Sequence, residues 1–332
     1  MSVRPGFALP GAIRPDQARE LAGRAERAGC DALWVLDVRR DPFVLAAAAI
    51  SATDQIPVGT NVAVAFARSP TVTAAAAWDL GLWSGGRFVL GLGSQVGPTL
   101  EARFGVKADH PAPRMVDYVS AVHSCWDALR SGQGSHDGDF YTIKRPFLQR
   151  AAEPDGPHIP IYVSAVNPVM AGAAGKCADG LAAHPFTTEG YLRETLLPAL
   201  AAGSAAAGRP TPPVLLQLVV APNRASAAAQ MMAYTVPEYR RVLDHTDLGA
   251  EADKILAARG AGRRDEARDL VDELILDHLG VVFEDKLTAG IERWRPYADR
   301  LSLSVPWFGM TDREQLEAAH RLVDLVDALP GS

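Results

Sequence analysis

The sequence predicts a single α/β domain of the TIM (β/α)8 barrel class with inserted segments. Short apolar or β-branched runs alternate with longer amphipathic stretches, as in strand–helix units around a parallel sheet. The 332 residues exceed the roughly 250 that eight such units need. Hydrophobic residues make up 48% of the chain and charged residues 22%, which suits a large buried core.

The strands are expected where apolar and β-branched residues cluster. Eight candidates and a ninth follow in chain order, at residues 6–9, 32–36, 58–64, 87–92, 161–164, 180–183, 214–220 and 279–283, with 301–305 as the ninth. Helices fill the gaps, and three of them are expected to begin at a proline, Pro15, Pro42 or Pro70. Because parallel strands need right-handed crossovers, such units close naturally into a barrel.

Two gaps between strands are too long for one helix and predict insertions at about residues 94–159 and 221–277. The first contains a helical pattern over residues 115–129 and an aromatic run, Asp139-Phe140-Tyr141, that predicts a small hairpin. The second is mostly charged helix. Since no Pro/Gly-rich linker interrupts the chain, we treat residues 1–332 as one domain.

Composition and spacing exclude several functions. Lys and Arg number 33 against 39 Asp and Glu, a net charge of −6 that disfavours nucleic-acid binding. The purest apolar run, residues 44–50, is far shorter than the roughly 20 residues that span a bilayer, so no membrane partner is expected. The cysteines and histidines show no metal-site or disulfide spacing, which predicts no metal and a cytoplasmic location.

Polar residues at the carboxyl ends of the strands are the candidates for chemistry, because barrel enzymes place their sites there. They are Asp37, residues 61–69, Ser94 with Gln95, residues 164–167, and His184. Asp37 can bind a ligand or move a proton, but an acid at a strand end is also an ordinary cap. His184 is either a proton donor or a hydrogen-bonded loop histidine.

Gly91-Leu92-Gly93 superficially suggests a dinucleotide fingerprint, but it lies at the fourth strand and matches G-x-G-x-x-G poorly. Its glycines could let a planar or phosphorylated ligand approach the backbone, or could form a tight turn. No G-x-S-x-G elbow is present, which argues against a serine hydrolase.

Several motifs together resemble the bacterial-luciferase-like superfamily over nearly the whole chain. They are Asp41-Pro42-Phe43, Gly59-Thr60-Asn61-Val62, Gly86 to Gly93, Arg114-Met115 with Asp117-Tyr118, Pro160 to Ser164, Ala178-Asp179-Gly180 and Asp272-Glu273-Leu274. The sequence is most similar to the branch that uses the deazaflavin coenzyme F420, through residues 64–70 and His184-Pro185-Phe186.

The resemblance implies a luciferase-like TIM barrel, usually dimeric, that holds a flavin-like ring at the carboxyl end of the barrel. Carried over residue by residue, it places a bulge, often with a non-proline cis peptide, at Asn61-Val62 behind the ring, and Asp37 beside the ring. The remaining cofactor contacts would be Val64, Ser94 and Gln95 near the ring or tail, and Val166 and Asn167 at a helix start that favours phosphate.

The implied function is a hydride exchange between coenzyme F420 and a small organic substrate, with Asp37 and His184 as candidate catalytic residues. Some deazaflavin enzymes carry a histidine where this chain has Val38 and a glutamate where it has Val96, so the sugar-phosphate dehydrogenase mechanism does not transfer. The alternatives are a monooxygenase that uses FMN and a barrel that binds ligands without catalysis.

Overall fold

The computed structural model describes residues 4–107, 109–148 and 152–330, and eight parallel strands within them close into a barrel. The barrel strands are β1 (Gly6–Leu9), β2 (Leu33–Val35), β3 (Val58–Thr60), β4 (Phe88–Gly93), β5 (Ile161–Ala165), β6 (Gly180–Ala183), β7 (Val214–Ala221) and β8 (Arg300–Ser304). On β7, Leu215 pairs with Ala182 of β6 and with Arg300 of β8, which closes the ring. The predicted barrel class is confirmed.

The expectation that residues 279–283 supply the eighth barrel strand is wrong, because the ninth candidate closes the barrel instead. The short strand Val281–Phe283 pairs with the last residues of β7. Strand β7 is eight residues long and extends past the end of its neighbour β6. The backbone groups of its last residues therefore need another strand as a hydrogen-bonding partner. The N–H of Gly280 also bonds the carbonyl of Pro185, just after β6, at 2.9 Å.

The third strand also differs from its prediction. Residues 58–64 were expected to form one strand, but β3 ends at Thr60 and a separate short strand, Ala63–Val64, pairs with the end of β4. The interruption falls at Asn61 and Val62, so the chain changes course at the carboxyl end of the barrel.

Helices cover the outside of the barrel, and Pro15, Pro42 and Pro70 each occupy the first helical position as predicted. None of the helices in the described parts of the chain combines the length and the apolar character that a membrane crossing needs. The helices are Pro15–Arg27, Pro42–Ile50, Pro70–Trp83, Gly97–Phe104, Pro111–Ser131, Pro168–Cys177, Glu189–Tyr191, Leu197–Ala206, Arg224–Tyr234, Arg240–Asp244, Gly249–Gly260, Arg264–Leu274, Leu287–Trp294 and Asp312–Asp327, with a π-helical turn at Leu192–Leu196.

The segment between β4 and β5 carries two helices and a hairpin, and its residues 108 and 149–151 lie outside the described residues. The hairpin pairs His136–Asp137 with Thr142–Ile143, so the aromatic run 139–141 forms its turn. Asp117, on the long helix, bonds His136 Nε2 at 2.6 Å and accepts from the N–H groups of Phe140 and Tyr141. One carboxylate therefore holds the hairpin to the helix.

Two apolar layers stabilise the barrel. The larger lies between the strands and the surrounding helices, and the smaller fills the interior of the barrel. The interior cluster consists of Ala8, Ala32, Trp34, Leu36, Val89 and Leu215, with Val38, Tyr162 and Trp307 packed against it. The inside of the barrel is thus a packed core, and a ligand would have to bind at the carboxyl end of the strands, which we call the mouth.

Candidate functional site

The bulge after β3 shapes one side of the mouth. The peptide bond between Asn61 and Val62 is cis, as the resemblance implied for this position. A Cβ atom at Gly91 would lie 1.9 Å from the Thr60 carbonyl oxygen, and one at Gly93 would lie 2.5 Å from Val62 Cγ2. The two glycines of β4 therefore make room for the bulge, rather than for a tight turn or for direct approach of a ligand.

A chain of polar side chains crosses the barrel below this bulge. Asn61 Nδ2 donates to Gln217 Oε1 at 3.4 Å, and Gln217 Nε2 donates to Ser304 Oγ at 3.0 Å. All three side chains are buried. Gln217 faces the same side of β7 as Leu215 of the interior cluster and lies one layer closer to the mouth. We call these three residues the polar floor, since they separate the apolar interior from the mouth.

Asp37, at the end of β2, is fully engaged by neighbouring donors. Its carboxylate bonds Arg68 Nη1 at 2.9 Å, Arg103 Nη2 at 2.8 Å and the N–H of Val64 at 3.1 Å, and only 2% of the side chain is exposed. Arg68 also bonds Asp41 at 3.0 Å. Asp37 thus connects the bulge, the following loop and the helix Gly97–Phe104. The positive charges of Arg68 and Arg103 neutralise the negative charges of Asp37 and Asp41.

His184 follows β6 at the mouth and packs among aromatic rings. Its imidazole meets Tyr234 edge to face at 4.4 Å between ring centroids, and Tyr239 at 5.2 Å. The N–H of Phe186 donates to Nδ1 at 3.0 Å. Burial lowers the pKa of His184 to about 3, so the imidazole is neutral at physiological pH.

The other residues singled out in the sequence lie around the mouth but do not contact this centre. Gln95 has a left-handed backbone with φ of 61°, and its side-chain oxygen accepts from the N–H of Val96 at 2.9 Å. Asn167 caps the helix Pro168–Cys177 by accepting from the N–H of Met170, also at 2.9 Å. The carbonyl of Val166 accepts from the Tyr191 hydroxyl. Ser94, next to Gln95, is partly exposed.

Six residues that shape the mouth were missed by the sequence reasoning: Gln217, Ser304, Tyr234, Tyr239, Trp307 and Arg103. Arg68 lies within the segment 61–69 that the sequence singled out. Two of the six, Gln217 and Ser304, could have been recognised from the sequence pattern of their strands. Gln217 is the one amide within the apolar run of β7, and Ser302 and Ser304 alternate with leucines in β8. Inward polar residues in otherwise apolar strands at the mouth were the available indication.

Two surface cavities lie apart from this centre. One, of about 380 Å³, lies between the helices Arg224–Tyr234 and Asp312–Asp327, and the other, of about 460 Å³, lies beside Val281–Phe283. Neither is lined by a residue of the polar floor or by His184. The convergent polar groups at the mouth make it the better candidate site.

The chain is similar to known proteins in sequence and in structure. An uncharacterized protein of Mycobacterium tuberculosis is 33% identical over 330 residues, which span 94% of this chain and 96% of the relative. A putative coenzyme F420-dependent oxidoreductase of the same species is 26% identical over 299 residues, or 82% of this chain and 85% of that protein.

Among solved structures, the coenzyme F420-dependent tetrahydromethanopterin reductase of Methanopyrus kandleri superimposes with a TM-score of 0.78 at 20% identity, covering 99% of this chain and 98% of that one. This likeness confirms the fold. A profile of the luciferase-like monooxygenase family matches residues 2–295. Since that match and the 33% identical relative each cover most of the sequence, the chain belongs to the luciferase-like monooxygenase family, whose members are F420- or flavin-dependent oxidoreductases.

Proposed function

We propose that this protein is a coenzyme F420-dependent oxidoreductase that exchanges a hydride with an organic substrate at the barrel mouth. The observation that carries the proposal is the position of the Asn61-Val62 bulge next to the polar floor. There the apolar side chain of Val62 lies beside the buried amides of Asn61 and Gln217. A flavin-like ring has apolar faces and a polar edge, so these residues fit it. When bound, the deazaflavin supplies the chemistry by accepting or donating a hydride.

The chain contributes position and shielding. Val62 remains partly exposed at the mouth and would contact the face of the ring, while Asn61 and Gln217 would meet its polar edge. Asp37 would act mainly by fixing the bulge through Val64, because its carboxylate is already bonded to two arginines. Such fixed positioning is how a protein raises the rate of a transfer between two bound groups.

The tail of the cofactor would extend outward over the remaining predicted residues. Ser94 and Gln95 would lie along it, and Val166 and Asn167 would meet its phosphate at the start of the helix Pro168–Cys177. Pro168 has no N–H and the Asn167 side chain occupies the N–H of Met170, so the N–H of Val169 would supply the backbone contact to the phosphate.

A titration of the purified protein with F420 and, separately, with FMN tests the proposal. We expect F420 to bind at least about tenfold more tightly than FMN, a difference of about 1.4 kcal/mol. Val62→Glu should abolish binding, because it places a charge against an apolar ring face, whereas Val62→Ala should only weaken it. Preferential FMN binding, with oxygen consumed when reduced FMN is supplied, would instead favour a monooxygenase, the activity named in the family description.

We also propose that the protein is a homodimer. The helices Pro42–Ile50 and Pro70–Trp83 carry a single charged residue between them, and large apolar side chains face outward from both, with Val44 56% exposed, Val72 60% and Trp83 60%. Apolar patches of this kind mark interaction surfaces. Light scattering should give twice the mass of one chain, and Val72→Glu should halve it, whereas an unchanged mass would place the interface elsewhere.

A further inference from the structure

An aromatic wall lines one side of the mouth. It consists of His184, Phe186, Tyr234, Tyr239 and Trp307. Tyr234 lies between His184, at 4.4 Å, and Trp307, at 5.9 Å between ring centroids, while Phe186 packs against Tyr239 at 6.0 Å. Both tyrosines come from the segment between β7 and β8, whereas His184 and Phe186 follow β6. Trp307 follows β8, so the wall is assembled from three separate parts of the chain.

His184 presents a hydrogen-bond donor from this wall. Because the N–H of Phe186 donates to Nδ1, the proton of the neutral imidazole is on Nε2. Nε2 has no protein partner within the described residues, and it is not among the buried atoms that lack one. Burial alone lowers the pKa of His184, with no charged neighbour contributing. The group is thus a fixed neutral donor rather than an acid.

The mouth also lacks an unpaired charge among the groups described above. The carboxylate of Asp37 is balanced by Arg68 and Arg103, and the polar floor consists of two amides and a hydroxyl. An anionic substrate group placed against the aromatic wall and the polar floor would therefore lose its hydration without gaining a cationic partner from them, which is strongly unfavourable. An uncharged aromatic or apolar substrate would pack against the wall without the cost of dehydrating a charge.

We propose that the aromatic wall selects an uncharged aromatic substrate whose carbonyl oxygen accepts a hydrogen bond from His184 Nε2, with Tyr234 as the residue that determines this specificity. The inference rests on the proposed function, since the carbon that bears this oxygen would be the hydride partner. In the reducing direction that carbon gains the hydride, the C=O π bond breaks, the oxygen takes a proton from water, and the reduced deazaflavin is oxidised.

Binding of two matched probes tests the proposal without turnover. The uncharged ketone para-methylacetophenone and its carboxylate analogue para-acetylbenzoate have nearly the same shape, and ligand-observed NMR gives their dissociation constants with and without F420. We expect the ketone to bind at least about tenfold more tightly. Tyr234→Ala should weaken the ketone by roughly tenfold, and Tyr234→Phe, which keeps the ring, should leave it unchanged.

A second variant separates the donor from the packing. His184→Phe keeps a ring in the wall but removes the N–H, so it should weaken the ketone while leaving para-xylene, which has no acceptor, unaffected. In protein labelled with ¹⁵N at histidine, the Nε2 resonance of His184 should shift when the ketone is added, and not when para-xylene is added.

The proposal is overturned if the carboxylate binds as well as the ketone, if neither probe binds with or without F420, or if Tyr234→Ala leaves the ketone affinity unchanged. Failure of the proposed function is a separate result, because F420 binding is read in its own titration. A protein that binds F420 but prefers the carboxylate refutes only the inferred selection for an uncharged substrate. A protein that binds the ketone without recognising F420 refutes the cofactor assignment and leaves the ligand preference of the wall in place.

Discussion

Replacing Asp37 with alanine separates a direct role in ligand binding from a role in holding the mouth together. The substitution removes three hydrogen bonds, from Val64 N–H, Arg68 Nη1 and Arg103 Nη2. A bond to a charged group contributes about 1.5–3 kcal/mol. The arginine side chains are 17% and 31% exposed, so water can replace part of each interaction. We therefore expect unfolding to require about 3 kcal/mol less free energy.

Urea unfolding followed by circular dichroism measures this change. With a slope of about 3 kcal/mol per molar, the midpoint should fall by about 1 M. Asp312→Ala is the matched control, since it removes an aspartate that also bonds an arginine, Arg39, but on the surface, and it should cost less than about 1 kcal/mol. If Asp37→Ala unfolds at the wild-type midpoint yet loses F420 binding, the reasoning is refuted and Asp37 is a direct ligand contact.

Three further predictions concern Asp31, Gly91 and Asp117. Burial raises the pKa of Asp31 to about 6, so the folded state favours the protonated carboxyl group. The free energy of unfolding should therefore fall by about 3 kcal/mol as pH rises from about 4 through 6. Urea midpoints of Asp31→Asn should lack that decline. Gly91→Ala places a Cβ atom against the Thr60 carbonyl and should destabilise by about 3 kcal/mol, whereas Gly260→Ala, in open space, should be neutral or slightly stabilising in thermal unfolding. Asp117→Asn weakens the contacts that hold the hairpin, so limited proteolysis should cut there sooner than in the wild type.

Much of the barrel could be predicted because its determinants are local. Strand β6 has the bounds expected from its apolar run, and the prolines at 15, 42 and 70 begin helices where predicted. The eighth strand was misplaced because residues 279–283 and 301–305 are both short apolar runs. Which of them closes the ring depends on the length of β7 relative to β6, and no local pattern encodes that difference.

The site was less predictable because its contacts join distant parts of the chain. Asn61 is 156 residues from Gln217, and Arg103 is 66 residues from Asp37. Strand-end position identified Asp37 and Asn61 as candidates, but it could not indicate that arginines would occupy the oxygens of Asp37. The same limit applies to His184, whose choice of tautomer is fixed by the N–H of Phe186.

The arrangement of the mouth separates two tasks between different parts of the chain. The bulge and the polar floor belong to the barrel strands and their ends, where a shift of one residue would disturb the closed sheet. Tyr234 and Tyr239 instead lie on the long segment after β7, outside the ring of strands. Because that segment can change without altering strand register, its side chains would set the proposed substrate preference while the barrel keeps the bulge and the polar floor in place.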